Sequence, residues 1–217
     1  MGINTIGDLA AADVSELRRK LGKYGDAIWH SANGRNAEMV SATPPENKGY
    51  GNSITLPRDV TDMTTACQVL LSLCETVGMR LRRDKKSCGC MTVMVRTAEF
   101  HHFAHQKQLG GATDITAELY KAACQALREL WDGHTPLRQM GIQVTKLSDE
   151  RYCQFDLFSA VDPIQLDRRA KLDTAVDGLR ERFGEDIVRR ARFLNGKVVH
   201  MAGGLAKERR TGMTKEV

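Results

Sequence analysis

Cys88-Gly-Cys90, followed by His101, His102 and His105, is the densest collection of metal-ligating side chains in the sequence. Thiolate and imidazole would suit zinc, but structural zinc sites use a wider cysteine spacing than this C-x-C pair. An extended backbone also sends His101 and His102 to opposite faces. The set reads as small strand residues and surface histidines, and no metal or other cofactor is expected in the chain. The second candidate is the run Arg80, Arg82, Arg83, Lys85 and Lys86, interrupted by Asp84. Part of that charge complements a helix C-terminus. The remainder can neutralise phosphates, giving salt-dependent binding without base reading. The alternative is a solvated helix end. The third is Gln154-Phe155-Asp156-Leu157-Phe158, which puts two apolar anchors beside a hydrogen-bonding glutamine. Such a segment fills a partner's apolar cleft; the other reading is a final strand. Ser148-Asp149-Glu150 is expected to be a turn after a strand.

The elements that would position these residues follow from changes of apolar period. Tyr50–Leu56 can be extended, and Met63–Leu81 repeats at helical spacing. Met91–Val95 and Phe100–Leu109 alternate, Ile115–Trp131 is helical, and Met140–Val144 alternates. The order β-α-β-β-α-β predicts an α+β, split ferredoxin-like domain: one antiparallel sheet with two helices on one face. Met63, Ala66, Cys67, Leu70, Cys74, Val77 and Leu81 form the stripe that faces the sheet. In the next strand Met91, Val93 and Val95 suit the core, and Thr92, Met94 and Arg96 the open face. His101, Phe103, His105 and Lys107 share a face whose side the unknown register leaves undetermined.

Before this domain, Thr5 and Asp8 mark one helix start, and Asp13 and Glu16 a second. A third short helix runs Asp26–Ala32 and stops at Asn33-Gly34. Short helices joined by glycine turns suit a helix-hairpin-helix that holds a DNA phosphate, or a small helical cap. Ser41-Ala42-Thr43-Pro44-Pro45 marks an extended linker. After the domain, Leu172, Ala175, Val176, Leu179 and Phe183 form a helical stripe, Glu185–Phe193 a second short helix, and Val198–Val217 a disordered end.

With 217 residues, a net charge of +5, 41% hydrophobic and 27% charged residues, the chain has the composition of a soluble globular protein. No apolar run approaches the ~20 residues that cross a bilayer, and no signal peptide opens the chain. No membrane partner is expected and the location is read as cytoplasmic. The six cysteines are expected as reduced thiols.

Gly51 to Asp59 (Gly-Asn-Ser-Ile-Thr-Leu-Pro-Arg-Asp), the basic run, Val95 to Phe100 and Ala112 to Thr116 together resemble the little-finger domain of Y-family translesion DNA polymerases of the bacterial DNA polymerase IV type. Gly2-Ile-Asn-Thr-Ile-Gly-Asp-Leu-Ala10 resembles the second half of that family's thumb helix-hairpin-helix. The resemblance implies a partial thumb (1–36), a linker (37–47), a DNA-binding little finger (48–153), a sliding-clamp-binding motif (154–158) and a helical tail with a disordered end (159–217). It implies a chain that begins inside a motif. The palm, whose carboxylates hold Mg²⁺, would precede Met1, and no catalytic residue is assigned here. The family's grip on duplex backbone carries over to Lys48, Gly49, Arg83, Lys85, Lys86, Arg96, Gln106 and Lys107. Its grip on the bacterial sliding clamp carries over to Gln154, Phe155, Asp156, Leu157 and Phe158. His105 stands where the family often has Arg, which would weaken that contact. The implied function is the DNA-binding, clamp-recruited portion of a repair polymerase, inactive alone. The alternatives are a stand-alone clamp-binding protein and one chain of a split polymerase. An RNA-recognition module of the same fold would need aromatic residues on its central strands, and Met91–Val95 has none.

Overall fold

The computed structural model of the chain describes residues 1–35, 46–153, 162–194 and 198–201. Two compact units emerge, Met1–Glu46 and Asn47–Val217.

The first unit holds α1 (Ile6–Ala11), α2 (Val14–Leu21) and α3 (Lys23–Ala32). Thr5 and Asp8 form a reciprocal capping box, and the Asp13 side chain accepts from the Ser15 amide. Gly22 ends α2 and opens α3 at φ 62°, a backbone suited to glycine. So α3 begins three residues before the expected Asp26. A Cβ on Gly25 would stand 2.4 Å from the Leu17 carbonyl oxygen, so only glycine lets α3 pack this closely on α2. Trp29 Nε1 donates to the Ala12 carbonyl and Asn33 Nδ2 to that of Ala10.

In the second unit the order is β1 (Gly49–Val60), α4 (Met63–Arg83), β2 (Ser87–Thr97), β3 (His102–Thr113), α5 (Thr116–Leu130), β4 (Leu137–Ser148), β5 (Tyr152–Cys153) and α6 (Pro163–Phe183). A 3-10 turn follows at Ala191–Phe193. The expected β-α-β-β-α-β order is present; the strands and α4 are longer than their apolar patterns suggested, whereas α5 is one residue shorter at each end than Ile115–Trp131. The strands lie as β1-β4-β2-β3-β5, every neighbouring pair antiparallel. Both crossovers are therefore split: β4 lies between β1 and β2, and β2 between β3 and β4. Pro57 is tolerated because β1 is an edge strand whose register breaks between Thr55 and Val60.

Tyr50, Met91, Val93, Val95, Met140, Ile142 and Val144 point to the helix side and are buried there with the expected α4 stripe. Helix α4 also buries Val69, Leu73, Glu75 and Thr76, which lie off that stripe. The reason is a third layer. Helix α6 contacts α4 on its outer side, and Val198 packs against the core.

This third layer departs from the expected pattern in three ways. Its apolar stripe does not dock: Leu172, Leu179 and Phe183 are exposed, while Ala170, Asp173 and Arg180 are buried. The helix is held by charge, because α4 presents Arg82 and Glu75 to it. Second, 185–190 is not helical. Arg180 donates Nε and Nη2 to the Val188 carbonyl and holds this stretch in turns. Third, Val198–Met201 is placed rather than disordered: His200 and Met201 are buried and Ser72 Oγ donates to the Val199 carbonyl at 2.6 Å. Residues 202–217 and nearly all of the expected linker lie outside the described residues.

Candidate nucleic-acid interface

Paired residues in an antiparallel ladder share a face, so the register defines the sheet surface opposite the helices. Its rows, from β1 through β4 and β2 to β3, are Gly49–Thr145–Cys90–Gln108, Gly51–Gln143–Thr92–Gln106, Ser53–Gly141–Met94–Ala104 and Thr55–Gln139–Arg96–His102. The surface is built of glycine, small residues and neutral hydrogen-bonding side chains, with a shallow depression between Gly51, Ser53, Met94 and Gln143. Bulky side chains would hold a rigid backbone away; this composition lets one approach, and amide and hydroxyl groups can donate to its oxygens.

Gly49 has no room for a side chain, since a Cβ would stand 2.5 Å from the Val144 carbonyl oxygen. Arg96 crosses the far row. Its guanidinium lies 4.5 Å from the Phe100 ring centroid, and its Nε has no hydrogen-bond partner among the described residues. Phe100 takes up that position with φ 69° in the β2–β3 turn, which is closed by Phe100 N–H to the Thr97 carbonyl. That is an uncommon backbone for a bulky residue.

The basic run divides into parts with different partners. Arg80 donates to the Gly51 carbonyl and covers the Tyr50 ring. Arg82 is turned into the third layer, against Asp173 and Asp177. Arg83 pairs with Asp84 at 3.1 Å, and Lys86 with the exposed Asp149 at 2.5 Å. Burial works to raise the Asp84 carboxyl, but the Tyr50 hydroxyl and Arg83 outweigh it and hold it low. Lys85 is exposed at φ 52°, in the turn between α4 and β2. Lys48, Lys85, Lys86 and Lys146 thus lie at the ends of strands or turns on one end of the sheet, beside the Gly49 row.

Gln106 lies on the open face, where its Nε2 donates to Cys90 Sγ at 2.9 Å. Lys107 does not. Its partner across the ladder is Met91, a core residue, and its Nζ reaches Glu129 on α5 at 2.6 Å. His105 shares that side and meets the other Glu129 oxygen at 2.8 Å. Lys107, followed by His105, holds the Glu129 carboxyl below its ordinary range. So the departure at His105 points away from the open face. The same register separates the zinc-like residues: Cys90 is on the open side, His105 on the helix side, and Cys88 donates to the Thr113 carbonyl. Among the described residues no three potential metal ligands cluster, and no helix is long and apolar enough to cross a membrane.

Sequence reasoning missed Gln139, Gln143, Gln108 and Lys146. The alternation Met140, Ile142, Val144 already implied the two β4 glutamines. Lys146 carried no such signal, because its φ of 55° takes it out of regular alternation. The segment Gln154–Phe158 lies outside the described residues, between β5, paired to Gly111 and Ala112, and Asp162, which caps α6.

Residues 47–157 match the family model described as "impB/mucB/samB family C-terminal domain". The chain is 33% identical over 192 residues to the DNA polymerase IV of Clostridium acetobutylicum, covering 88% of this chain and 48% of that protein. It is 34% identical over 200 residues to that of Acetivibrio thermocellus, covering 91% and 50%. It is 33% identical over 214 residues to DNA polymerase IV 2 of Bacillus subtilis, covering 96% and 49%. The chain thus spans about half the length of these relatives. Among solved structures, the Y-family DNA polymerase chimera Dbh-Dpo4(243-245)-Dbh aligns at a TM-score of 0.48 with 20% identity, over 67% of this chain and 41% of that one.

Proposed function

The chain belongs to the impB/mucB/samB family through its C-terminal domain, the little finger of bacterial Y-family DNA polymerase IV, and on that premise we propose that it holds primer–template duplex by its backbone on the open sheet face. The observation that carries this reading is the composition of that face, small and hydrogen-bonding, with one arginine whose Nε is unpartnered. Such a surface fits a phosphodiester backbone and has no aromatic platform for splayed bases. Lys48, Lys85, Lys86 and Lys146 extend the contact at one end by charge, and Arg83 adds to it when Asp84 yields. The site acts in the cytoplasm, as one portion of a translesion repair polymerase whose nucleotidyl transfer is carried by a palm.

Recruitment is the second part of the proposal. Gln154 to Phe158 binds the bacterial sliding clamp, with Leu157 and Phe158 as apolar anchors and Gln154 hydrogen-bonding at the cleft edge. The test measures both partners on one chain. Fluorescence anisotropy with labelled duplex over a salt series should give weak, sequence-indifferent affinity that falls steeply with salt. Replacing Leu157 and Phe158 by alanine should abolish clamp binding and leave duplex affinity and melting temperature unchanged. Clamp binding by a chain that ignores duplex DNA at low salt would leave the stand-alone clamp-binding reading in its place.

A further inference from the structure

The sheet runs on past the end of the helix that covers it. Helix α5 stops at Leu130, and Glu129 in its last turn reaches Lys107 and His105 of β3. Phe103 is the next β3 residue on that side, since it pairs with Val95, whose partner on β4 is the core residue Met140. Lying beyond the helix end, Phe103 is 49% exposed. A cavity of about 550 Å³ opens beside it, a size that suits a bound ligand. The buried Val95, Trp131 and Leu137 form its apolar floor.

Hydrogen bonds hold this cavity in shape. The Ala98 amide donates to the Pro136 carbonyl at 3.0 Å and ties the β2–β3 turn to the loop before β4. Trp131 Nε1 donates to the Thr135 carbonyl at 2.9 Å. Asp132 accepts from the His134 and Thr135 amides and from the Thr135 hydroxyl.

The fixed charge around the cavity has one sign. Among the described residues that line it are two carboxylates, Glu99 and Asp132, and no lysine or arginine. Donation from the His134 amide, followed by that from Thr135, holds the Asp132 carboxyl at about 2, so it is ionised at neutral pH. Glu99 is exposed, with His101 Nδ1 3.6 Å away. The negative end of the α5 dipole adds to both. Aromatic surface beside carboxylates suits a guanidinium, which stacks on a ring while its N–H groups meet the oxygens. The adjoining turn shows this packing once already, with the Arg96 guanidinium 4.5 Å from the Phe100 centroid.

We propose that the cavity is a docking site for an arginine-containing segment of a partner protein. The guanidinium stacks on Phe103 and pairs with Glu99, and its methylenes cover the floor. A neighbouring apolar residue of the segment fills the space that remains, which a free amine would leave to water. The cavity lies on the helix side of the sheet, so the partner docks without displacing anything from the open face.

The test titrates the full isotope-labelled chain with the capped peptide Leu-Arg-Leu and follows the indole N–H signals by NMR. The Trp131 signal should move saturably, and that of Trp29 should stay in place. Citrulline in place of the arginine should weaken binding about tenfold, and so should Glu99→Gln in the protein. Butylguanidinium alone should bind roughly tenfold more weakly than the peptide. An unmoved Trp131 signal overturns the proposal. So does equal affinity for the citrulline peptide, unchanged affinity in Glu99→Gln, or butylguanidinium that binds as tightly as the peptide.

Discussion

Arg82 of α4 and Asp177 of α6 meet as a two-point pair, Nε donating to Oδ2 at 2.5 Å and Nη2 to Oδ1 at 3.1 Å. Arg82 Nη1 also donates to the Asp114 carbonyl at 2.6 Å and reaches Asp173. A residue that reads as part of a surface basic run is thereby the ligand that docks the C-terminal helix. Replacing it with methionine leaves the half-buried Asp177 without its cation and the buried Asp173 with only Arg190, at 3.5 Å. The expected loss is about 3–5 kcal/mol of unfolding free energy in urea. A variant as stable as the parent would show that the pair is solvent-screened.

The resemblance assigned both Arg96 and Lys107 to the duplex grip, and they are not equivalent in the fold. Arg96→Gln should reduce the slope of log affinity for duplex against log salt by about 1. Lys107→Gln should leave it unchanged, because Lys107 is paired with Glu129 behind the sheet. Anisotropy titrations of both variants across a salt series make the comparison. Equal slopes for the two would place the duplex elsewhere.

Glu75 gives the third layer a dependence on acid. Burial works to raise this carboxyl, yet His200, Arg180 and Arg190 around it hold it below its ordinary 4.5. Its Oε1 accepts from Arg190 at 2.7 Å and from Arg180 at 3.4 Å. A depressed carboxyl contributes stability that is complete above its unfolded-state value. That contribution fades as pH falls through the folded one. Melting temperature should therefore decline as pH drops below 4.5. Glu75→Gln should be less stable at neutral pH and decline less over the acid range. Parallel curves for the two chains would remove Glu75 from the effect.

Gly49 tests how tightly β1 is held to β4. An alanine there must displace the Val144 carbonyl from its 2.5 Å approach, at a cost of about 1–3 kcal/mol. The loss should appear as a lower melting temperature and faster amide exchange in β1, with α5 unaffected. Alanine without effect would mean that the edge strand moves freely.

Much of this architecture is written locally in the sequence. Alternation at Met91–Val95 and Met140–Val144 and the helical stripe from Met63 to Leu81 fix element type and inward face, since side-chain periodicity is a property of each segment alone. Thr5 with Asp8, and Asp13, do the same for the starts of the first two N-terminal helices. The motifs likewise carried the family. What required the tertiary structure was the destination of each charge. A one-residue change of register exchanges the faces of a strand. Hence Gln106 and Lys107, adjacent in sequence, part to opposite sides of the sheet. Arg82 and Arg83, also adjacent, part for a related reason: one is claimed by Asp173 and Asp177, roughly 90 residues away along the chain. The same long-range pairing inverted α6, whose apolar stripe stays outside because a buried arginine on α4 needs carboxylates more than Leu172 and Leu179 need cover.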